Sequence, residues 1–370
     1  MKKVILLITV VCLLIITASA PMAAEKADTS QISLNAAISK ALEYDKTDRI
    51  MDIDIRLKTS EAEDAVKNAK YPDREQEIYD QYNSLSIPAK QIWKEITPLE
   101  KQFEVDKLII QKKESDEQLV NKVTNSFFNA LFNDTKAKLS EEDKNIAKKD
   151  LEIVQSRYKI GQVSEIALKE AQLAYDKVEL NYAAAIDDRD YSLNDIADLL
   201  GVSGDACILA SEKITQDELP EYSKAAFMEL LKKNNITYLN AVKDQEFKQK
   251  RYDIYMEITR YGVGKEESAA EKELINANIA LRKTTKDEII QMYSEYIDLL
   301  NLKGDIEVAR GNLEVSKAKV KQKEIQFEKG LITELGLKKE QLIYSKAELV
   351  LYQEINTFNL RTSTLMLKLK

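Results

Sequence analysis

The chain has 370 residues, of which 32% are charged and 44% apolar, and its formal net charge at pH 7 is −8. It contains no histidine, which excludes a Ser-His-Asp triad, a histidine-ligated zinc site and acid–base catalysis by imidazole. Nine glycines and five prolines are too few for the tight turns of an ordinary mixed fold, so the composition predicts long helices.

The N-terminal segment, 1–24, has the organisation of a secretory signal peptide. Lys2 and Lys3 are followed by an apolar run over residues 4–16 and then by small residues. We expect cleavage after Ala24, with an uncleaved N-terminal anchor as the alternative. Cleavage leaves 53 basic and 63 acidic residues, and the resulting charge of −10 disfavours nucleic acid as a partner. Cys207 is then the one remaining cysteine, so no internal disulfide is expected.

Proline positions divide the rest of the chain. Beyond the signal, prolines occur only at positions 72, 88, 98 and 220. The segments between Pro98 and Pro220, and from Pro220 to the C-terminus, can each hold helices longer than the usual length of about 10–14 residues. Residues 70–103, which contain the first three prolines, lack an apolar–polar alternation and are expected to form helices or loops rather than strands.

Apolar residues recur at intervals of seven in the proline-free segments, which is typical of a coiled-coil seam. Two such sets run side by side in the first half, and this predicts that the helix has neighbours on both sides. The sets are Ile166, Leu173, Leu180; Leu168, Tyr175, Tyr182; Leu335, Leu342, Leu349; and Leu337, Tyr344, Leu351, Phe358, Leu365.

The second half of the chain repeats the first. Residues 157–165 match residues 326–334, and the match continues downstream at the same constant offset. A weaker match joins residues 34–38 to 223–227 at a larger offset, so the first half holds about twenty extra residues between its matching ends. A repeat of this length indicates a duplicated unit of several helices.

Gly161 and Gly330 lie at equivalent places in the repeat, and each interrupts a helical pattern once. Glycine suits the left-handed conformation that ends a helix, and Ser164 and Thr333 are natural caps for the helix that follows. Each half is therefore predicted to contain a long helical hairpin that turns at its glycine. The helix before Gly161 is expected to be roughly 90 Å long. An ordinary helix–turn–helix corner of a bundle is the alternative for these turns.

The order of these features resembles the TolC family of outer-membrane efflux proteins. The shared pattern is an aromatic residue, two residues, glycine, two residues, Ser or Thr, and then a Gln-Leu heptad helix that ends near Gly201. The opening at residues 32–43 and the tandem duplication are also similar to that family. The resemblance implies an all-α fold of long coiled-coil hairpins duplicated in tandem, with a signal peptide at 1–24 and helical repeats at 25–205 and 206–370.

The resemblance also implies a function in the cell envelope, at the outer membrane if the host has one. Three copies would form a hollow α-barrel that serves as a passive conduit for efflux or type I secretion, with no catalysis, metal or cofactor. The partners would be a periplasmic adaptor (membrane fusion protein) and an inner-membrane pump such as an ABC transporter. The adaptor would meet the hairpin tips, which are Tyr158, Gly161, Val163, Ser164, Phe327, Gly330, Ile332 and Thr333.

Two departures from the family pattern support a rival hypothesis. Family members usually carry an aspartate a few residues after each tip glycine, whereas this sequence has Ala167 and Gly336 there. Members that cross an outer membrane insert two β-strands into each half, but residues 70–103 show no such pattern, so these strands are expected to be absent or vestigial. The rival is a structural coiled-coil envelope protein that kept the fold but lost the conduit.

Overall fold

The computed structural model describes residues 31–203, 209–258 and 265–369. The predicted signal peptide, Cys207 and the predicted boundary between the repeats lie outside these ranges. Within them the chain is helical, and Ile32 and Leu209 form an isolated parallel bridge. The helices are α1 (Leu34–Tyr44), α2 (Thr47–Lys70), α3 (Gln76–Ser84), α4 (Ile87–Glu95), α5 (Thr97–Lys159), α6 (Glu165–Leu200), α7 (Lys224–Asn234), α8 (Ile236–Ile258), α9 (Lys265–Glu328) and α10 (Glu334–Leu369).

The helix lengths show the duplication directly. The two longest helices, α5 and α9, contain 63 and 64 residues and are each about 95 Å long. Each is followed by a helix of 36 residues, α6 or α10. The helices α1 and α7, which open the two halves, both contain 11 residues. This arrangement confirms the predicted all-α fold of long hairpins duplicated in tandem.

The two halves differ most between their second helix and their longest helix. Residues 71–96 join α2 to α5 and contain α3 and α4, whereas only residues 259–264 separate α8 from α9. Ser86 caps α4, and Pro88 lies in the first turn of that helix, where its missing N–H costs nothing. The expectation that residues 70–103 form helices or loops rather than strands is confirmed.

The four long helices form one layer. The first hairpin packs α5 against α6, the second packs α9 against α10, and α10 also packs against α5. The order across the layer is therefore α6, α5, α10, α9, with α6 and α9 at its two edges. Farther from the two hairpin turns, α2 packs on the N-terminal part of α5, and α8 packs on the N-terminal part of α9.

The opening helices α1 and α7 are equivalent in the two halves. Their alignment in the structure differs by one position from the alignment that the sequence match gave. Ser33 and Ser223 are their N-caps, and each accepts the N–H of the residue three positions later. Aligning these caps pairs Ala37 with Phe227 rather than with Ala226. The short run of alanines in both segments hides this shift, because it matches nearly as well in either register.

Each half has its own hydrophobic core, where the short opening helix packs on its hairpin. Equivalent residues of the two repeats fill equivalent positions in the two cores. Small alanines of α1 are replaced by large side chains in α7, so the opening helix contributes more side-chain volume to the second core than to the first. The equivalent pairs, first core before second, are Val123/Met292, Phe127/Tyr296, Ile196/Leu365, Ala37/Phe227 and Ala41/Leu231.

Candidate functional site: the hairpin tips

The first hairpin turns at Gly161, whose φ is 73°. Its N–H donates to the carbonyl of Tyr158 at 2.9 Å, and the N–H of Gln162 donates to the carbonyl of Arg157 at 2.8 Å. This pair of bonds is a Schellman motif, which requires a left-handed residue just after the helix. Glycine satisfies that requirement without the steric cost that a Cβ would bring. The turn is therefore encoded locally by Gly161.

The second hairpin has the same backbone at its tip. Gly330 has a φ of 70° and donates its N–H to the carbonyl of Phe327 at 2.8 Å. The N–H of Leu331 donates to the carbonyl of Gln326, also at 2.8 Å. The predicted turns at both glycines are thus present in the structure, and they have matching hydrogen bonds.

Hydroxyl caps begin the helix that leaves each tip. The Oγ of Ser164 accepts the N–H of Ala167 at 3.2 Å, and the Oγ1 of Thr333 accepts the N–H of Gly336 at 3.2 Å. Ala167 and Gly336 stand at the places where the resembling family carries aspartate. In this chain both positions lie in the first turn of a helix and offer no carboxylate.

The tips present apolar side chains to solvent. Ile160 and Leu331 are 67% and 71% exposed, and the aromatic residues Tyr158 and Phe327 are 40% and 41% exposed. Of the other predicted site residues, Val163 and Ile332 are half-buried, while Ser164 and Thr333 are exposed. A Cβ added to either tip glycine would meet no atom within 4 Å. Such surfaces on exposed turns are typical of places where another protein binds.

Two ion pairs link the hairpins, which pack side by side through α10 and α5. The Nζ of Lys339 lies 2.5 Å from a carboxylate oxygen of Asp150, and the Nζ of Lys346 lies 2.6 Å from one of Asp143. Lys339 is nine residues beyond Gly330, and Asp150 is eleven residues before the other tip glycine. The two tips are therefore level to within about 3 Å along the helices. The structure brings all eight predicted site residues to one end of the molecule.

An open groove separates the two hairpins just behind the tips. Lys149, Ile153 and Arg157 of α5 line one wall, and Glu334 and Lys338 of α10 belong to the other. Lys338 bonds to Glu334 at 2.8 Å, and this hydrogen bond, with the charges of Lys338 and Lys149, lowers the pKa of the Glu334 carboxyl. The groove was not found from the sequence because its walls come from different halves of the chain.

In residues 31–203, 209–258 and 265–369 no group of three or more His, Cys, Asp or Glu side chains is placed to hold a metal ion. None of the helices in the same ranges has the length and apolar content needed to cross a membrane.

Comparison with solved structures gives matches over nearly the whole chain. The CmeC outer membrane channel of Campylobacter jejuni has a TM-score of 0.63 at 10% identity, covering 96% of this chain and 93% of that one. The outer-membrane channel OprN has a TM-score of 0.63 at 11% identity, with 89% of each chain covered. The open state of the MtrE outer membrane channel of Neisseria gonorrhoeae has a TM-score of 0.57 at 10% identity, covering 95% and 93%.

Sequence comparisons contribute nothing at this distance: no family model matches the chain, and no curated protein matches it significantly. The similarity is therefore carried by the arrangement of the helices. The described chain has the TolC-like fold of these outer-membrane channels.

Proposed function

We propose that this chain is a member of the TolC family and serves as an exported tunnel component of a tripartite efflux or type I secretion system. Three copies form the tunnel, which is a passive conduit and not an enzyme. An inner-membrane pump such as an ABC transporter supplies the energy, and a periplasmic adaptor joins the pump to the tunnel. The signal peptide at 1–24 directs the chain to the cell envelope, and 25–205 and 206–370 are the two repeats.

The observation that supports this proposal best is the pair of level glycine tips on a fold shared with outer-membrane channels. The tips have equal backbone geometry, lie at one end of the molecule and expose Tyr158, Ile160, Phe327 and Leu331. A turn that served only to join two helices has no need of exposed aromatic and aliphatic side chains. We propose that the adaptor binds this end of the molecule.

The groove between the hairpins gives the adaptor a second point of contact. Its lining carries three cationic side chains, Lys149, Arg157 and Lys338, together with the carboxylates of Glu152 and Glu334. An adaptor segment with apolar residues and charges of both signs would complement the exposed tips and the mixed-charge groove. We propose that Gly161 and Gly330 are needed because they hold the tips in the shape that the adaptor recognises.

The rival function is a structural envelope protein that kept the fold without the conduit. Ala167 and Gly336 favour it, because neither tip carries the aspartate usual in the family. The two functions differ in what the tips must do. A conduit needs intact tips for transport, whereas a scaffold keeps its role with altered tips.

Export by cells that carry altered tips tests the proposal. The variant Gly161→Trp with Gly330→Trp should still fold, because an added side chain at either site points into open space. The two turns become strained, since tryptophan rarely adopts a positive φ. We expect adaptor co-purification and export both to fall at least tenfold. Gly336→Ala is the matched control, because the new methyl group makes only ordinary contacts of 3.6 and 3.8 Å.

The outcomes separate the two functions. Loss of adaptor binding and export in the double variant, with normal behaviour of Gly336→Ala, supports the conduit. Unchanged export with a normally folded double variant contradicts it and supports the scaffold. Circular dichroism and the cellular level of each variant show whether the fold is retained.

A further inference from the structure

The helix α6 carries an apolar ridge that nothing in the described protomer covers. Ile166, Leu173 and Leu180 are 69%, 69% and 72% exposed, and they are spaced seven residues apart. The opposite face of α6 packs on α5, as shown by the Tyr182 ring beneath Lys144 at 4.5 Å and by the buried Ala185. Apolar residues at heptad spacing on the edge of a helical layer are suited to burial by another helix.

The helix α9, at the other edge of the layer, has a row of small residues on its free face. Gly304, Gly311 and Ala318 are spaced seven residues apart, and all three are exposed. The buried face of α9, with Ile306 and Ala309, packs in the second core. A residue five positions along a helix lies about 140° around it, so Gly311 points away from that core. A Cβ on Gly304 or Gly311 would meet no atom within 4 Å.

Residues of the ridge on α6 and of the small-residue row on α9 lie at matching distances from the hairpin tips. Leu180 follows Gly161 by nineteen positions, and Gly311 precedes Gly330 by the same number. Leu173 and Ala318 are likewise both twelve positions from their tips. If the copies form a ring about an axis parallel to the helices, all copies lie at the same level along that axis. Because the two tips of one copy are also level, residues equally far from their tips face each other across neighbouring copies. In such a ring each large side chain of this pair would lie level with a small residue of α9.

Residues of opposite charge flank this apolar match between α6 and α9 on one side. Glu170 lies nine positions from its tip and Lys319 eleven, so they differ in height by about 3 Å. Both lie in the same rotational sense from the apolar row, which places them on one side of an antiparallel helix pair. Both are exposed, and neither forms an ion pair within the part of the chain that the structure describes.

We infer that the free face of α9 binds α6 of a second copy of this chain, with Leu173 and Leu180 entering the space left by Ala318 and Gly311. This inference rests on the ring assembly of the proposed function and adds its register. The α6–α9 contact continues the packed layer from one copy into the next. It converts the two exposed edges of a single protomer into buried seams, and the Glu170–Lys319 pair helps to fix their register.

Disulfide cross-linking of the exported protein tests the register. With Cys207 replaced by serine, Leu180→Cys with Gly311→Cys should give covalent dimers and trimers on non-reducing gels, because facing Cβ atoms about 4 Å apart can be bridged. The matched control is Leu173→Cys with Gly311→Cys, which is displaced by one heptad, or about 10 Å. We expect at least tenfold less cross-linked product from the control. All three positions are exposed in the protomer, so neither pair disturbs its fold.

A charge exchange gives a second readout. Glu170→Lys should lower the trimeric fraction in gel filtration with light scattering, and adding Lys319→Glu should restore it. Trimers that cross-link equally in both cysteine pairs, or only in the displaced pair, overturn the proposed register and leave the conduit intact. A chain without substitutions that stays monomeric overturns both the register and the proposed function.

Discussion

The Nζ of Lys346 lies 2.6 Å from Oδ2 of Asp143 and joins the second hairpin to the first across 203 residues of sequence. Both side chains stay partly exposed, at 47% and 35%. The pair sits in the seam between α10 and α5, the contact that unites the two halves of the layer. Its role is therefore one of register more than of stability.

Removing this ion pair should change stability little. Asp143→Asn and Lys346→Gln are each expected to lower the free energy of unfolding by at most about 1 kcal/mol, because solvent screens exposed pairs. Urea denaturation of the two single variants and the double variant gives the coupling energy directly. A coupling energy several times larger than this would show that the seam depends on the pair far more than its exposure allows.

Truncating the first core should be much more costly. The side chain of Phe127 is 0% exposed and contacts Phe128 with ring centroids 5.7 Å apart. Phe127→Ala is expected to destabilise the chain by about 3–5 kcal/mol, because it removes apolar contacts and leaves a cavity. Ile87→Ala, at a position that is 68% exposed, should cost less than about 0.5 kcal/mol. Equal losses for the two variants in denaturant titrations would place the core elsewhere.

The sequence predicts the hairpins well because their signals are local. A glycine after a heptad run and a hydroxyl residue three positions later are enough to place both turns, and Gly161 and Ser164 adopt the expected conformations. The heptad sets also predict two neighbours for α6, and in the described residues α5 packs along its heptad segment while α1 contacts only its C-terminal end. The sequence does not predict the two short helices α3 and α4 individually, since prolines mark only where a helix starts or stops.

What the sequence does not reveal is how distant segments meet. The groove behind the tips depends on Lys149 and Lys338, which no local pattern connects. The pairing of Lys339 with Asp150 is equally invisible, because both helices carry many other exposed charged residues that could pair as well. Such contacts follow from the packing of α10 on α5, which only the folded chain defines.

The caps at the tips should each contribute a measurable share of stability. Ser164→Ala and Thr333→Ala each remove the acceptor of a helix N–H, at Ala167 and Gly336 respectively. Each variant is expected to lose about 1 kcal/mol, and Ser164→Asp should keep most of it because aspartate is also a strong cap. Hydrogen exchange at the first turn of α6 and α10 checks this. Unchanged exchange rates in the alanine variants would rule out a capping role.

The left-handed glycines should differ in their tolerance of alanine. Gly161→Ala places a methyl group in open space, so only backbone strain of about 1–2 kcal/mol is expected. Gly201→Ala has similar strain at a φ of 63°, but its Cβ would lie well inside van der Waals contact with ring carbons of Tyr44. Thermal unfolding should therefore show a larger loss for Gly201→Ala. The difference should shrink when Tyr44→Ala is added, and a difference that persists would contradict the clash.

The pH dependence of stability should contain a contribution from Glu114. Burial, followed by the charge of Glu117, raises the pKa of this carboxyl. The folded state then binds the proton more tightly than the unfolded state, so this stabilisation is present below the ordinary glutamate pKa and is lost as pH rises through the raised value. Glu114→Gln should remove this loss, and Glu117→Gln should remove a smaller part. If the unsubstituted chain and both variants show the same dependence of stability on pH, Glu114 does not make this contribution.

The mass of the purified, signal-free protein in solution tests the central claim most directly. Light scattering coupled to gel filtration should give three times the mass of one chain, because the edges α6 and α9 are buried only when the ring closes. Electron microscopy of the same fraction should show a hollow, three-fold symmetric particle about as long as α5. A single-chain mass at every concentration tested, with no ring in the images, would contradict the account.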